Sequence, residues 1–122
     1  MSSYAQPITD LTISSGSANS NVLKAREEYG DAIGIMLYAP AAITDAHTFV
    51  IQVTDDPEAT VPVWRDLQED IAGTPTDIPP PGAATARTYF VLPPAMGFRI
   101  HDESGNVTAD TTWAASKLMR LD

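Results

Sequence analysis

Apolar residues in this sequence come in short runs, each cut off by a cluster of proline, glycine, serine or aspartate. Runs of that length, rich in Val, Ile, Thr and Phe, suit β-strands joined by turns, whereas helices need longer stretches at a period of about 3.6 residues. The expectation is an all-β, antiparallel sandwich of about seven strands with at most one short helix.

The runs differ in pattern. Ala32-Ile-Gly-Ile-Met-Leu-Tyr-Ala-Pro40 is apolar at both alternate sets of positions, which predicts a strand covered on both faces. His47–Thr54 alternates, with Phe49, Ile51 and Val53 on the core side. Val61–Gln68 alternates through Val61, Val63 and Leu67, with Trp64 facing the other way, and Pro62 predicts a sheet edge. Arg87–Leu92, Phe98–Asp102 and Thr111–Leu121 complete the strands, with turns at Pro93–Gly97 and Glu103–Asn106. Val22–Tyr29, closed by Gly30, reads equally as a short helix or an edge strand. Residues 1–7 are left as an N-terminal arm, and residues 70–86, with Pro75 and Pro79-Pro-Pro-Gly82, as a long exposed loop and candidate contact arm. No repeat or domain boundary is visible, so residues 1–122 are expected to form one domain.

Composition narrows the function. No apolar run approaches the ~20 residues that span a bilayer, and the N-terminus lacks the basic and apolar regions of a secretory signal, so a soluble chain that folds where it is made is expected. Cysteine is absent, which removes disulfides, thiolate metal sites and a thiol nucleophile. Sixteen acidic residues against seven basic ones leave a net charge of −9, and Asp45, Asp55, Asp56, Glu58, Asp66, Glu69, Asp70 and Asp77 face only Arg65 in their stretch. Such a surface repels phosphate backbones and anionic lipids, which argues against nucleic acid and membrane as partners.

Motifs for chemistry are missing. His47 and His101 have no His-x-x-x-His spacing, and neighbouring residues of His101-Asp102-Glu103 point to opposite faces of a strand. Asp55-Asp-Pro-Glu58 lacks the bend glycine of a calcium loop. There is no Gly-x-Ser-x-Gly elbow and no phosphate-binding glycine loop. No catalytic, cofactor or metal residue is therefore assigned and no enzyme activity is expected. Interface chemistry favours Trp and Tyr. The partner-binding candidates are Trp64, Tyr38 and Tyr4, together with Ile78, Pro79, Pro80 and Pro81 of the long loop.

Asn21-Val-Leu-Lys-Ala-Arg-Glu-Glu-Tyr-Gly-Asp-Ala-Ile-Gly-Ile-Met-Leu-Tyr-Ala-Pro40 resembles a passage in the head decoration, or cement, proteins of tailed bacteriophages. Phe49-Val-Ile-Gln-Val53, Val63-Trp-Arg-Asp-Leu-Gln68 and Phe98-Arg-Ile-His101 are similar to later pieces of the same proteins. The resemblance implies a jelly-roll-like β-sandwich of about seven to eight strands. It further implies a structural virion protein, assembled in the host cytoplasm, that coats the capsid exterior by bridging subunits of the major capsid protein, often as a symmetric dimer. The long Asp70–Ala86 segment departs from the short turn expected there. The alternative is a tail, fibre or adhesin-type module of the same fold that binds carbohydrate.

Overall fold

A computed structural model describes residues 3–90 and 96–120. It is an antiparallel β-sandwich. Among the described residues eleven strands follow one another: β1 (Ser3–Pro7), β2 (Leu11–Ile13), β3 (Leu23–Lys24), β4 (Gly34–Tyr38), β5 (Phe49–Thr54), β6 (Arg65–Asp66), β7 (Gln68–Ile71), β8 (Thr74–Asp77), β9 (Ala86–Phe90), β10 (Gly97–Asp102) and β11 (Thr111–Arg120). The count exceeds the expected seven to eight because β3 and β6 are two-residue pieces and the long loop contains a hairpin. Val91, Leu92, Pro93, Pro94 and Ala95, part of an expected strand and turn, lie outside the described residues, as do Leu121 and the first two residues of the expected arm.

One sheet has the order β1-β11-β4-β9, with β2 also on β11. Strand β11 is its spine, holding β1 and β2 on one edge and β4 on the other. Pro7 lies opposite Ser116 and Leu11 opposite Trp113, so the register slips by one residue between β1 and β2. Asp10 covers the slip by accepting from the Ala115 amide at 3.3 Å. The expected N-terminal arm is thus corrected: from Ser3 onward it is an edge strand, held by five register pairs.

The second sheet has the order β3-β10-β5-β6. Its inner face carries Phe98 and Ile100 opposite Val53 and Ile51. Two edge-on aromatic pairs join the sheets, Phe49–Trp113 at 5.2 Å and Tyr89–Phe98 at 6.0 Å. Leu11, Ile13, Leu23, Ile35, Leu37 and Val107 complete a single core. Each such side chain contributes roughly 1.5–3 kcal/mol on burial. Strand β4 buries Ile35 and Leu37, while Met36 is half-buried and Tyr38 37% exposed. It is covered on one face only, because among the described residues no third layer packs on the first sheet.

The open alternative at 22–29 resolves as both. Leu23 and Lys24 pair with β10, then Ala25–Tyr29 make a π-helical turn. Gly30 follows in ordinary right-handed geometry; a Cβ there would lie 2.6 Å from the Ala25 carbonyl oxygen, so the wide turn needs a glycine for space.

The segment 70–86 is largely exposed, as expected, but it is not a loop throughout. Its first part pairs β7 with β8 around Ala72 and Gly73, whose φ values of 52° and 86° make a primed two-residue turn. Ile71 and Thr74 close the turn, so Asp70 and Pro75 form the next, non-hydrogen-bonded pair, where a missing amide donor costs the ladder nothing. The proline run then closes one end of the sandwich. Tyr89 donates from its hydroxyl to the Pro79 carbonyl at 2.6 Å, and Trp113 from Nε1 to the Pro81 carbonyl at 3.1 Å.

Candidate docking surface

The two outer faces of the sandwich differ in chemistry. On the second sheet, Arg99 donates twice to Gln52 Oε1, at 2.8 and 3.0 Å, and Gln52 donates to Asp66 at 3.0 Å. The Arg99 guanidinium lies 4.1 Å above the Trp64 ring. Asp66, Asp77 and Glu103 bring carboxylate oxygens within 4.8 Å of one another. Desolvation, then repulsion from Asp66 and Asp77, pushes the Glu103 carboxyl above its ordinary pKa. Sequence reasoning missed this cluster because its members belong to β6, β8 and the turn after β10. An acidic cluster by itself defines no metal site.

The outer face of the first sheet carries no charge along its centre. Cross-strand partners share a face. Ala5, Leu118 and Gly34 form one row, Pro7, Ser116, Met36 and Thr88 the next, and Ala114, Tyr38 and Ala86 the third. Charge begins only at Arg120, opposite Ser3. Tyr38 donates to the Met36 sulfur at 3.7 Å, so these two side chains stand together on β4 beside alanines of the neighbouring strands. In a chain of net charge −9, these rows of described residues offer a partner surface no ionised group.

The partner-binding candidates scatter over the fold. Tyr38 lies on this face. Tyr4, 45% exposed, pairs with Met119 and therefore points to the other side of the sheet. Trp64 is half-buried with Arg99 over one face of its ring. Ile78 packs against the core, Pro80 and Pro81 are buried, and only Pro79 of that run is exposed, so the run is a structural closure rather than a free arm. Val61 and Val63, which with Leu67 carry the alternation of 61–68, are 81% and 61% exposed. The chain joins the second sheet only at Arg65, so their alternation has no facing layer to bury it.

A cleft of ≈ 350 Å³ lies between the proline run and the segment before β5, lined by Ile43, Asp45, His47, Thr48, Phe49 and Pro79 to Gly82. His47 Nδ1 sits 2.5 Å from Asp102 Oδ2, whose side chain is fully buried. A carboxylate only accepts, so Nδ1 carries the proton. Asp45 accepts from the Thr108 hydroxyl at 2.7 Å and from its amide, and these bonds, the hydroxyl first, hold its carboxyl below the ordinary value. Asp102 thus pairs with a histidine 55 positions away, not with neighbouring His101, which turns to Asn19 at 2.6 Å. His47 Nε2 lies 3.9 Å from Asp45 Oδ1, so the ring stands between two carboxylates and ties the segment before β5 to β10. No spacing in the sequence could have signalled it.

No family model, curated protein or solved structure matches this chain. Among the described residues no helix is long and apolar enough to cross a membrane.

Proposed function

We propose that this chain is a non-catalytic binding module that seats the outer face of its first sheet on another protein. The observation that carries the reading is that uncharged face on a strongly acidic molecule. Docking there desolvates Met36, Tyr38 and a floor of alanines without burying an unpaired charge, while the acidic remainder keeps coated particles apart. The resemblance noted in the sequence supports the major capsid protein of a tailed phage as that partner, with the chain on the capsid exterior. Many weak contacts on a closed shell add up, so each copy needs only modest affinity. A homodimer is a compatible arrangement on the shell.

Pelleting with undecorated capsids of the parent phage tests this. The protein is expected to co-sediment, and a Met36→Lys/Tyr38→Glu variant, altered only at side chains that already reach solvent, is expected to stay in the supernatant. Failure of the native protein to pellet, or pelleting of the variant at the native concentration, refutes the reading.

A further inference from the structure

The cleft between the proline run and the segment before β5 joins an apolar wall to a charged end. At ≈ 350 Å³ it has the size of a small-molecule pocket, for which about 300–1,000 Å³ is usual. Ile43, Phe49 and the rings of Pro79, Pro80 and Pro81 supply the apolar wall. Proline has almost no side-chain entropy to lose, and the run is fixed because the Pro79 and Pro81 carbonyls accept from Tyr89 and Trp113. The wall is therefore in place before a ligand arrives, which lowers the cost of binding.

The charged end sets the sign of the ligand. Among the described residues that line the cleft, only Asp45 and His47 ionise, and none is lysine or arginine. Asp102 stands behind the imidazole, bonded to Nδ1. Thr108 holds the Asp45 carboxyl below its ordinary pKa, so it is ionised at neutral pH. With two carboxylates around one imidazole, this end is net negative whether the ring carries one proton or two. Asp45 also keeps room for a donor. A carboxylate has about four lone-pair sites. Its donors are the Thr108 hydroxyl and the Thr108 and Ala109 amides, and neither residue lines the cleft. His47 Nε2, at 3.9 Å from Oδ1, is too far to take the remaining site. The Asp45 side chain is only 4% exposed, so an ion pair made there is little screened by salt. We propose that the cleft binds a small organic cation, a primary ammonium on a short apolar body, with the head at Asp45 and the body against Phe49 and the prolines. None of the lining residues belongs to the uncharged docking face, so this site is independent of the function proposed above.

The test titrates the full chain, labelled with nitrogen-15, with three probes of one shape: phenylethylammonium, the neutral phenylethanol and the anionic phenylpropionate. Amide resonances report where each probe sits. The ammonium is expected to shift the Ile43, Thr48, Phe49 and Gly82 amides saturably at millimolar concentration. Phenylethanol is expected to bind about tenfold more weakly, for want of a charge-assisted bond, and phenylpropionate not to bind. A Cβ at Gly82 meets no atom within 4 Å, so Gly82→Leu fills the cleft without disturbing the fold and is expected to weaken the ammonium at least tenfold. Asp45→Asn is expected to bring the ammonium down to the level of the alcohol; should that variant unfold, the three probes on the native chain and Gly82→Leu decide. Equal affinity for ammonium and alcohol, unchanged affinity in Gly82→Leu, shifts confined to acidic residues elsewhere on the surface, or no shift at all would each overturn the proposal.

Discussion

Replacing His47 by alanine removes the imidazole donor from Asp102, a carboxylate with no solvent exposure whose other described bond is from the Ser104 amide at 2.8 Å. Breaking one side of a buried pair costs about 3–5 kcal/mol, most of it the penalty of a charge left without a partner. The His47 side chain is 26% exposed, so water can partly replace the lost ring and the lower end applies, about 3 kcal/mol. For a chain of 122 residues that corresponds to a fall in Tm of about 12 °C. Urea denaturation at neutral pH, followed by circular dichroism, measures it. Asp102→Asn supplies the control. An amide keeps the shape, still accepts from Ser104, and carries no charge to strand, so His47→Ala in that background is expected to cost only about 1 kcal/mol. The coupling is then about 2 kcal/mol. Additivity of the two substitutions within about 0.5 kcal/mol, or a His47→Ala cost below about 1 kcal/mol, refutes the assignment of this pair as a main tie between the 45–48 segment and β10.

Other expectations can be checked with the same unfolding assay. Gly97→Ala drives a methyl to within 2.9 Å of Pro57 and of Thr54 Cγ2, and should cost about 1–3 kcal/mol; no loss would show that the Pro57 loop moves freely. Ala72→Asn should stabilise by a few tenths to about 1 kcal/mol, since asparagine tolerates the φ of 52° that alanine holds at the hairpin tip. Asp45, held below the ordinary carboxylate pKa by Thr108, contributes stability that is complete above about pH 4 and lost as pH falls through its depressed value. Thr108→Val should therefore be destabilised at pH 7, with the gap to the native protein narrowing below about pH 4. Burial raises the Tyr29 phenol to about 12 and the Tyr89 phenol further still. Their contribution is complete below about pH 10 and lost as pH climbs through the raised values, so stability should fall in that alkaline range. Tyr89→Phe should fall less steeply there, at a cost of about 1 kcal/mol at pH 7 for the bond to Pro79.

The class of this fold is written into its local pattern. Alternation in Phe49–Val53 and Phe98–Ile100 sets one face of each segment inward, and a period of two is a property of extended backbone that needs no knowledge of the partner strand. Thr111–Arg120 pairs as the central strand despite its alanines, because a strand flanked on both edges is held by its ladders more than by propensity. The charge balance, the absence of cysteine and the lack of a catalytic motif are equally local facts. Only the tertiary structure decided which alternating positions found a facing layer. Leu37 met one, whereas Tyr38, Val61 and Val63 did not. It alone turned a proline-rich stretch into a hairpin and an end closure, through hydroxyl and indole donors on distant strands. It also joined His47 to Asp102 and cleared the outer face of the first sheet of charge. Burial depends on what lies opposite, and what lies opposite is chosen by strand order, which no local period encodes.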